Sequence, residues 1–368
     1  MNYVSENKLN SFIKKKKIKN ILIITGKKSF NFSGFKKLGI YQNFKSIINI
    51  FYKKNEIPKI SELKFLIKKI NIITPDLIIA LGGGCAIDYA KLANGLHNIK
   101  NLEKKIKSGS LKLDSKKTKI LAIPTTAGSG AEVTKFSVLY IDKTKYSVEH
   151  NLLKPDFYSL IPKLVINSSK IVRSSSGFDA IAQAAESIFS KRANIYSLKY
   201  SSKSLQHSIK SFLEFVNNPN ISNATQMLLA ANFSGKAINI AKTNAPHALS
   251  YSFTSKFKIP HGIAVSIFFI EIINLYYLNA TKINNVNLIK KFKLFFKLIN
   301  KPNIKGFNIL FRKFFFDSGI KKYLDKSLKR INYQNNSNFY YNLNRLKNSP
   351  IEILKIDIRR LYLDKFKS

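Results

Sequence analysis

The sequence has almost no cysteine and no segment typical of export or membrane insertion. Cys85 is the single cysteine in 368 residues, which excludes an internal disulfide framework and indicates a reducing compartment. The first residues, MNYVSENKLNSFIKKKK, lack the apolar core of a signal peptide. The longest apolar stretch, residues 262–278, contains Glu271 and is short for a bilayer span. We therefore expect a soluble, cytoplasmic protein without a membrane partner, in which residues 262–278 form a buried helix.

Acidic side chains are also scarce. The chain has 20 Asp and Glu against 63 Lys and Arg, a formal net charge of +43, and such a balance is typical of nucleic-acid-binding proteins. The lysines are, however, spread along the whole chain among Asn, Ile, Phe and Tyr, as an AT-rich coding bias would produce. No zinc finger, RNA-recognition motif or basic zipper accompanies them. We therefore expect no specific nucleic-acid partner, only nonspecific attraction at low salt.

The length and the 45% hydrophobic content allow two domains with real cores. In the first half, β-branched runs alternate with segments of helical period. Strands are predicted at residues 18–26, 75–84 and 118–124 and within SIINIFYKKNEIP, with a capped amphipathic helix at 61–74 and a further helix at 85–97. Strand, helix and strand in turn predict a parallel α/β sheet.

From about residue 174 the pattern is helical throughout, with few strand signals. A boundary is therefore expected at residues 171–176, where the serine-rich RSSSG fits a link that caps the next helix. The predicted domains are an α/β domain at residues 1–172 and an all-helical domain at 173–368. The Asn-rich stretch at 329–349 contains aromatic residues, which favours an ordered loop or short helices over a disordered tail.

Two glycine-rich loops follow predicted strands. LGGGCAIDYAK joins a buried strand to a helix, where the backbone can approach an anion that meets the helix N-terminus. IPTTAGSGAEVT follows another strand, and Thr125 and Thr126 there can offer hydroxyls to a cofactor. Ligands of open α/β sheets bind at the carboxyl ends of the strands. The three glycines alone favour a tight turn over a phosphate site, but the two loops together predict a nucleotide site.

Four polar side chains stand out in apolar surroundings. Asp179 and Gln183 are four residues apart in GFDAIAQAAES, on one face of a predicted helix. His247 and His261 are two of only five histidines. Taken singly, the aspartate can be a helix cap, the glutamine a solvated residue and each histidine a satisfied core residue. Taken together, they form a set of four oxygen and nitrogen donors that can bind a metal ion.

Five motifs occur in the order found in a known family: GGGCAIDYAK, IPTTAGSGAEVT, FDAIAQAAES, HALSY and IPHG. In these motifs the chain resembles the iron-containing (group III) alcohol dehydrogenases, over residues 21–269. The resemblance implies an α/β N-terminal dinucleotide-binding domain with a parallel sheet and an all-α C-terminal domain. It also implies a metal in an active-site cleft between the two domains, and a homo-oligomeric enzyme.

By the same resemblance, the ligands of a divalent metal, Fe²⁺ or Zn²⁺, are Asp179, Gln183, His247 and His261. Gln183 departs from the family, which usually has histidine there, and a neutral amide is a weaker ligand than imidazole. Two histidines and one carboxylate remain a credible site. Tyr251 is a second departure, because many members have a substrate-adjacent histidine there. The phenol either relays a proton or shapes the pocket.

The resemblance places a set of residues around NAD(P)H: Gly26, Gly82, Gly83, Gly84, Cys85, Asp88, Thr125, Thr126 and Lys145. Many NAD-using members carry an acidic residue after the first strand, where it contacts the adenosine ribose. This chain has Gly26 there, followed by Lys27 and Lys28. Without the carboxylate a 2′-phosphate is not repelled, so we expect tolerance of NADPH or a preference for it.

Further stretches resemble the phosphonoacetaldehyde reductase branch of the family: KYSVEHNLLKPD, DAIAQAAES, NNP, GKAINIAKT and APHALSY. The resemblance implies reduction of phosphonoacetaldehyde to 2-hydroxyethylphosphonate, an aldehyde reduced to a primary alcohol. Lys242 joins Tyr251 as a candidate active-site residue because it could contact the phosphonate, and Arg173 is a weaker candidate. Two alternatives stay open, a reductase for small neutral aldehydes and a non-catalytic protein on the same fold.

Overall fold

The protein is described here from a computed structural model, which describes residues 2–142, 144–329 and 341–364. The chain divides into two compact units, Met1–Ser168 and Ser169–Ser368. Most of the Asn-rich stretch predicted to form an ordered loop or short helices, residues 330–340, lies outside the described residues. Its described end includes a short helix, Leu343–Leu346.

The first unit is built on a parallel sheet. The strands of the unit are β1 (Asn2–Tyr3), β2 (Ile21–Gly26), β3 (Ile48–Lys53), β4 (Leu77–Gly82), β5 (Lys119–Pro124), β6 (Phe136–Ile141), β7 (Thr144–Glu149) and β8 (Phe157–Tyr158). Among the described residues, six of them form one sheet in the order β1-β8-β5-β4-β2-β3, with every pair parallel. The predicted parallel α/β sheet is confirmed. The antiparallel pair β6–β7 was not predicted.

Helices cover both faces of the sheet. They are α1 (Leu9–Lys15), α2 (Lys27–Phe32), α3 (Gly39–Gln42), α4 (Ile60–Ile73), α5 (Gly84–Gly95), α6 (Leu102–Lys107) and α7 (Lys163–Ile166). The predicted cap of α4 is absent, because Lys59 occupies the N-cap position without a side-chain hydrogen bond. The remaining predicted elements of this half form where the β-branched runs and helical periods indicated.

The side chains of β4 show why the sheet is buried on both faces. Leu77, Ile79 and Leu81 belong to one apolar cluster, to which α1, α2 and α3 contribute. Ile78 and Ala80 point to the other side, into a cluster shared with α4 and α5. Burial of each Leu or Ile side chain stabilises the folded state by about 1.5–3 kcal/mol. The strand therefore stabilises the packing of helices on both faces of the sheet. A near-continuous apolar run is typical of such a strand.

The second unit is helical in every regular element that the structure describes, as predicted. Its helices are α8 (Lys170–Phe189), α9 (Ile195–Asn217), α10 (Ile221–Ala241), α11 (Ala245–Leu249), α12 (Tyr251–Ser255), α13 (His261–Lys282), α14 (Val286–Leu298), α15 (Ile304–Asp317), α16 (Ile320–Leu328), α17 (Leu343–Leu346) and α18 (Lys355–Asp364). Of the described helices, α13 is the one long and apolar enough to cross a membrane by length and composition. In its most apolar 18-residue stretch, 61% is buried within the protein, which fits the buried helix predicted there.

The serine-rich link predicted at residues 173–177 is wrong, because this segment lies inside α8. The Ser174 hydroxyl lies 2.8 Å from the Lys170 carbonyl oxygen, and the Ser176 hydroxyl donates to the Val172 carbonyl at 2.8 Å. Serine hydroxyls that bond to carbonyls one turn earlier are accommodated within a helix. The residue that precedes the helix, at the N-cap position, is Ser169.

Candidate active-site residues

The two glycine-rich loops of the first unit lie against each other. Gly82 and Pro124, the last residues of β4 and β5, are partners in the sheet register. The Thr125 amide donates to the Gly82 carbonyl at 3.1 Å. A Cβ atom on Gly84, where α5 begins, would lie 3.0 Å from the Ser129 hydroxyl of the other loop. The sheet therefore presents two backbone loops and a helix N-terminus at one edge, an arrangement that suits phosphate groups.

Gly82 is required at this edge for two reasons. Its φ is +150°, a conformation that other residues rarely adopt, and a Cβ atom there would lie 2.8 Å from the Cβ of Ala86. The predicted cofactor residue Gly83 lies beside Thr126, whose hydroxyl would be 3.2 Å from a Cβ on Gly83. Thr125 is buried, and its hydroxyl lies 3.5 Å from that of Ser29. The predicted glycines and threonines are thus brought together.

Three other predicted cofactor residues lie on or beside α5. Asp88 accepts a hydrogen bond from the Val138 amide at 3.0 Å. Burial raises the pKa of Asp88, although the nearby Lys91 and Lys145 ammonium groups oppose the shift. Burial likewise raises the pKa of Cys85 to about 12, so at neutral pH the sulfur is a thiol and not a nucleophilic thiolate. The third residue, Lys145 on β7, lies close enough to Asp88 for its positive charge to lower the pKa of that carboxyl group.

Lys53, which the sequence analysis did not identify, lies beside Gly26. Gly26 ends β2 and is the register partner of Lys53, the last residue of β3. A Cβ atom on Gly26 would lie 3.6 Å from Lys53 Cε and 3.9 Å from its Nζ. Lys27 and Lys28, which were predicted to matter here, are exposed on α2. Lys53 was not identifiable from sequence, because the contact depends on the pairing of β2 with β3.

Three predicted metal ligands converge in the second unit. Asp179 on α8, His247 on α11 and His261 on α13 each offer one ligand atom, and these atoms all lie within 4.8 Å of one another. The Nε2 atom of His247 lies 3.1 Å from Oδ1 of Asp179. Atoms bonded to one zinc ion at about 2.1 Å are at most about 4.2 Å apart. The three side chains therefore fit a single ion after small rotations.

A close helix contact places His261 beside Asp179. A Cβ atom on Gly262 would lie 1.8 Å from the Ser175 carbonyl oxygen of α8, so any larger residue would separate the two helices. The Gly262 amide also donates to the Ser175 hydroxyl at 3.1 Å. The glycine of the IPHG motif thus brings the first turn of α13 against α8, and with it the preceding histidine.

Glu186 is a site residue that the sequence analysis did not identify. It is fully buried, and its Oε1 makes a short hydrogen bond with Nδ1 of His247. Its Oε2 accepts a hydrogen bond from the backbone N–H of Asn244 at 2.7 Å. Glu186 lies seven residues after Asp179 on α8, two turns further along the same face, which is the signal that could have revealed it. A carboxylate on the far nitrogen of a histidine ligand fixes the tautomer and ring orientation.

Charge at the cluster is balanced locally. Burial alone would raise the pKa of Asp179, but the hydrogen bond with His247 and the charges of His261 and His247 hold that pKa below its usual range. Burial would lower the pKa of His247, but the carboxylates of Glu186 and Asp179 raise it to about 9. Both nitrogens of this ring therefore face carboxylates, and Nε2 is the atom directed at Asp179.

The fourth predicted ligand, Gln183, lies one turn after Asp179. Its Nε2 donates to Oδ2 of Asp179 at 3.1 Å, and its Oε1 lies 3.0 Å from the hydroxyl of Ser234 on α10. The structure therefore brings Gln183 to the cluster with its amide nitrogen toward the carboxylate.

Of the three remaining predicted site residues, Tyr251 and Lys242 lie near His247 in the chain and Arg173 does not. Tyr251 is the first residue of α12 and is buried; its proton-relay role stays a prediction, which the pH profile of a Tyr251→Phe variant would check. Lys242 follows α10 with φ 63° and ψ 171°, a strained conformation for a residue other than glycine. Arg173 donates through Nε and Nη2 to the Val216 carbonyl, so its guanidinium is engaged at the end of α9.

Comparison with protein-family models gives matches in both units. Residues 3–162 match the family described as iron-containing alcohol dehydrogenase. Residues 173–298 match the model described as Fe-containing alcohol dehydrogenase family, C-terminal. The two matches cover the glycine-rich loops and the Asp179–His247–His261 cluster.

Similar proteins carry different substrate names. The chain is 32% identical over 190 residues to long-chain-alcohol dehydrogenase 1 of Geobacillus thermodenitrificans, covering 51% of this chain and 48% of that protein. It is 28% identical over 211 residues to phosphonoacetaldehyde reductase of Streptomyces viridochromogenes, covering 55% and 53%. The chain thus matches about half the length of these relatives. The solved structure of sulfoacetaldehyde reductase from Bifidobacterium kashiwanohense, in complex with NAD⁺, has the same fold, with a TM-score of 0.82, 19% identity and coverage of 100% and 96%.

Proposed function

Because the chain belongs to the iron-containing alcohol dehydrogenase family, we propose that it reduces an aldehyde to a primary alcohol with NAD(P)H and a divalent metal ion. The observation that carries this proposal is the convergence of Asp179, His247 and His261. Two imidazoles and one carboxylate, of which Asp179 and His247 are buried and His261 is half-buried, are a donor set that suits Fe²⁺ or Zn²⁺.

The residues of the second unit have distinct parts in this reaction. Asp179, His247 and His261 would hold the metal. When bound, such an ion supplies a Lewis acid for the carbonyl oxygen of the substrate. Glu186 keeps Nε2 of His247 directed at the metal position by occupying Nδ1. The low exposure of Asp179 and His247, 5% each, excludes bulk water and strengthens every electrostatic contact there.

In the first unit, we assign the cofactor to the edge formed by the two glycine-rich loops. The backbone at residues 82–84 and the N-terminus of α5 would receive the pyrophosphate. Thr125 and Thr126 border this position on the neighbouring loop. The family match covers this whole edge, which supports a dinucleotide and not an unrelated anion.

The cofactor preference can be tested at Gly26. We expect NADPH to be used at least as well as NADH, because no carboxylate opposes the 2′-phosphate and Lys53 lies beside the position. A Gly26→Asp variant should lose about tenfold in kcat/KM for NADPH, equivalent to about 1.4 kcal/mol, while its activity with NADH is kept. The φ of −93° and the ordinary contacts at Gly26 accommodate a side chain.

Gly26→Ala is the matched control for this variant, because it adds the Cβ atom without the charge. Steady-state rates with both cofactors measure the effect. A tenfold preference of the wild-type protein for NADH, or an unchanged ratio in Gly26→Asp, would contradict the assignment.

For the substrate, we propose phosphonoacetaldehyde. The similarity to phosphonoacetaldehyde reductase supports this proposal. Lys242 supports it as well, because this cation has a strained backbone and lies five residues before His247. A strained residue is kept only where the surrounding structure holds it, and such residues cluster at functional sites. A hydrogen bond between an ammonium and a phosphonate oxygen is charge-assisted and about twice as strong as a neutral one.

The experiment compares phosphonoacetaldehyde with acetaldehyde and propionaldehyde by the loss of NADPH absorbance, with Fe²⁺ or Zn²⁺ supplied. We expect kcat/KM to be highest for the phosphonate. Lys242→Met should lower that value roughly 10- to 100-fold, as about 1.5–3 kcal/mol for a hydrogen bond to a charged group implies, and leave the neutral aldehydes unchanged. The exposed Lys210→Met on α9 is the control. Comparable rates with the neutral aldehydes would support the aldehyde reductase activity but reject phosphonoacetaldehyde as the preferred substrate. No activity with any of the three aldehydes, despite bound metal, would favour a non-catalytic role.

A further inference from the structure

We propose that Gln183 is not a metal ligand but a positioning residue, which holds one oxygen of Asp179 so that the other faces the metal. The site would then bind its ion through three protein side chains, although the chain has a fourth polar residue where its family usually has a ligand. This inference rests on the proposed metal-assisted function, and it concerns residues on α8 and α10 of the second unit.

The identity of the amide atoms follows from hydrogen-bond chemistry. Oδ2 of Asp179 lies 3.1 Å from the terminal atom of Gln183, and a carboxylate oxygen only accepts hydrogen bonds. The atom that faces it must therefore be the NH₂ group, because the amide oxygen would be repelled. The amide oxygen consequently faces away from Asp179, toward Ser234.

Ser234 stabilises this orientation from the neighbouring helix. Its hydroxyl donates to Oε1 of Gln183 at 3.0 Å, with the Ala231 carbonyl oxygen as an alternative acceptor at 2.9 Å. Gln183 is only 4% exposed and Ser234 is fully buried, so water cannot replace either partner easily. The only strong ligand atom that Gln183 offers is thus already committed, and rotating it toward the metal would break two buried hydrogen bonds.

The two oxygens of Asp179 are distinguished as a result. Oδ1 lies 3.1 Å from Nε2 of His247, the nitrogen left available once Glu186 has taken Nδ1. Oδ2 is taken by Gln183. Asp179 is therefore prepared to bind through a single oxygen, and the side chains of Glu186 and Gln183 act in parallel, each fixing one ligand from behind. Outer partners of this kind typically tune metal affinity about 10- to 100-fold.

The test uses Co²⁺ as the probe, because its visible absorption reports the ligands while its affinity is measured separately. Metal-free protein is titrated with Co²⁺ against a chromophoric chelator. Gln183→Met, similar in length but unable to donate, should bind Co²⁺ roughly 10- to 100-fold more weakly. At saturation its spectrum should match that of the wild-type protein, because the same three protein ligands remain. Gln183→His is the positive control. It adds an imidazole ligand and should change the Co²⁺ spectrum, which would show that the spectrum detects a fourth protein ligand.

Ser234→Ala gives an independent measurement that leaves Gln183 in place. It should weaken Co²⁺ binding in the same direction, and combined with Gln183→Met it should add little, since both act through one amide. Ser204→Ala is the matched control, because this buried serine donates its hydroxyl proton to the Ala230 carbonyl of α10 and not to Gln183. A saturated Gln183→Met spectrum that differs from wild type, or unchanged affinity in both Gln183→Met and Ser234→Ala, overturns the inference alone. Wild-type protein that takes up no Co²⁺ overturns the metal site itself.

Discussion

The His261→Ala variant is expected to lose aldehyde reduction and most of its bound metal. His261 supplies one of three converging ligand atoms, and alanine leaves only one carboxylate and one imidazole to hold the ion. We expect the affinity to fall by more than the roughly 10- to 100-fold seen for outer partners, and turnover to fall below detection. Elemental analysis of the purified protein and the NADPH-dependent rate measure the two effects.

His207→Ala is the control for the loss of an imidazole. His207 lies on α9, bonded to Gln226 and stacked on Phe233, and is not one of the three converging residues. It should keep both metal and activity. If His261→Ala retained full activity with undiminished metal, the ligand assignment would be refuted.

Replacing Glu186 by glutamine is expected to weaken metal binding roughly 10- to 100-fold and to lower kcat at subsaturating metal. The variant keeps the size of the side chain and can still accept from the Asn244 amide. It removes the negative charge that faces Nδ1 of His247, and with it the group that fixes the imidazole tautomer. Competition titration with a chromophoric chelator measures the affinity directly.

Glu214→Gln on α9 is the control for this charge change, since Glu214 is exposed. Excess metal should restore much of the rate in Glu186→Gln, because the three ligands are still present, whereas His261→Ala should not recover. Wild-type metal affinity in Glu186→Gln would show that the short contact with His247 has no part in the site.

Several features of the fold and the site were accessible from sequence because their causes are local. The apolar runs at β2, β4 and β5 required burial on both faces, and a glycine was needed at the end of β4, where Gly82 has a positive φ. The helical period of the second half was equally plain. By contrast, the RSSSG segment was misinterpreted as a link. The carbonyl oxygens that accept from the Ser174 and Ser176 hydroxyls come within hydrogen-bond distance only when α8 has formed.

The sequence by itself determined the alternation of strands and helices around β2 to β5, the two strands that precede the glycine-rich loops, and the histidines and aspartate as candidate ligands, since residue type and spacing decide these. Only the tertiary structure decided which atoms meet. Lys53 reaches Gly26 because β3 pairs with β2, and the Gln183 amide is oriented by Ser234, 51 residues away in the chain. Hydrogen bonds and strand register join residues distant in sequence, and no local pattern encodes their partners.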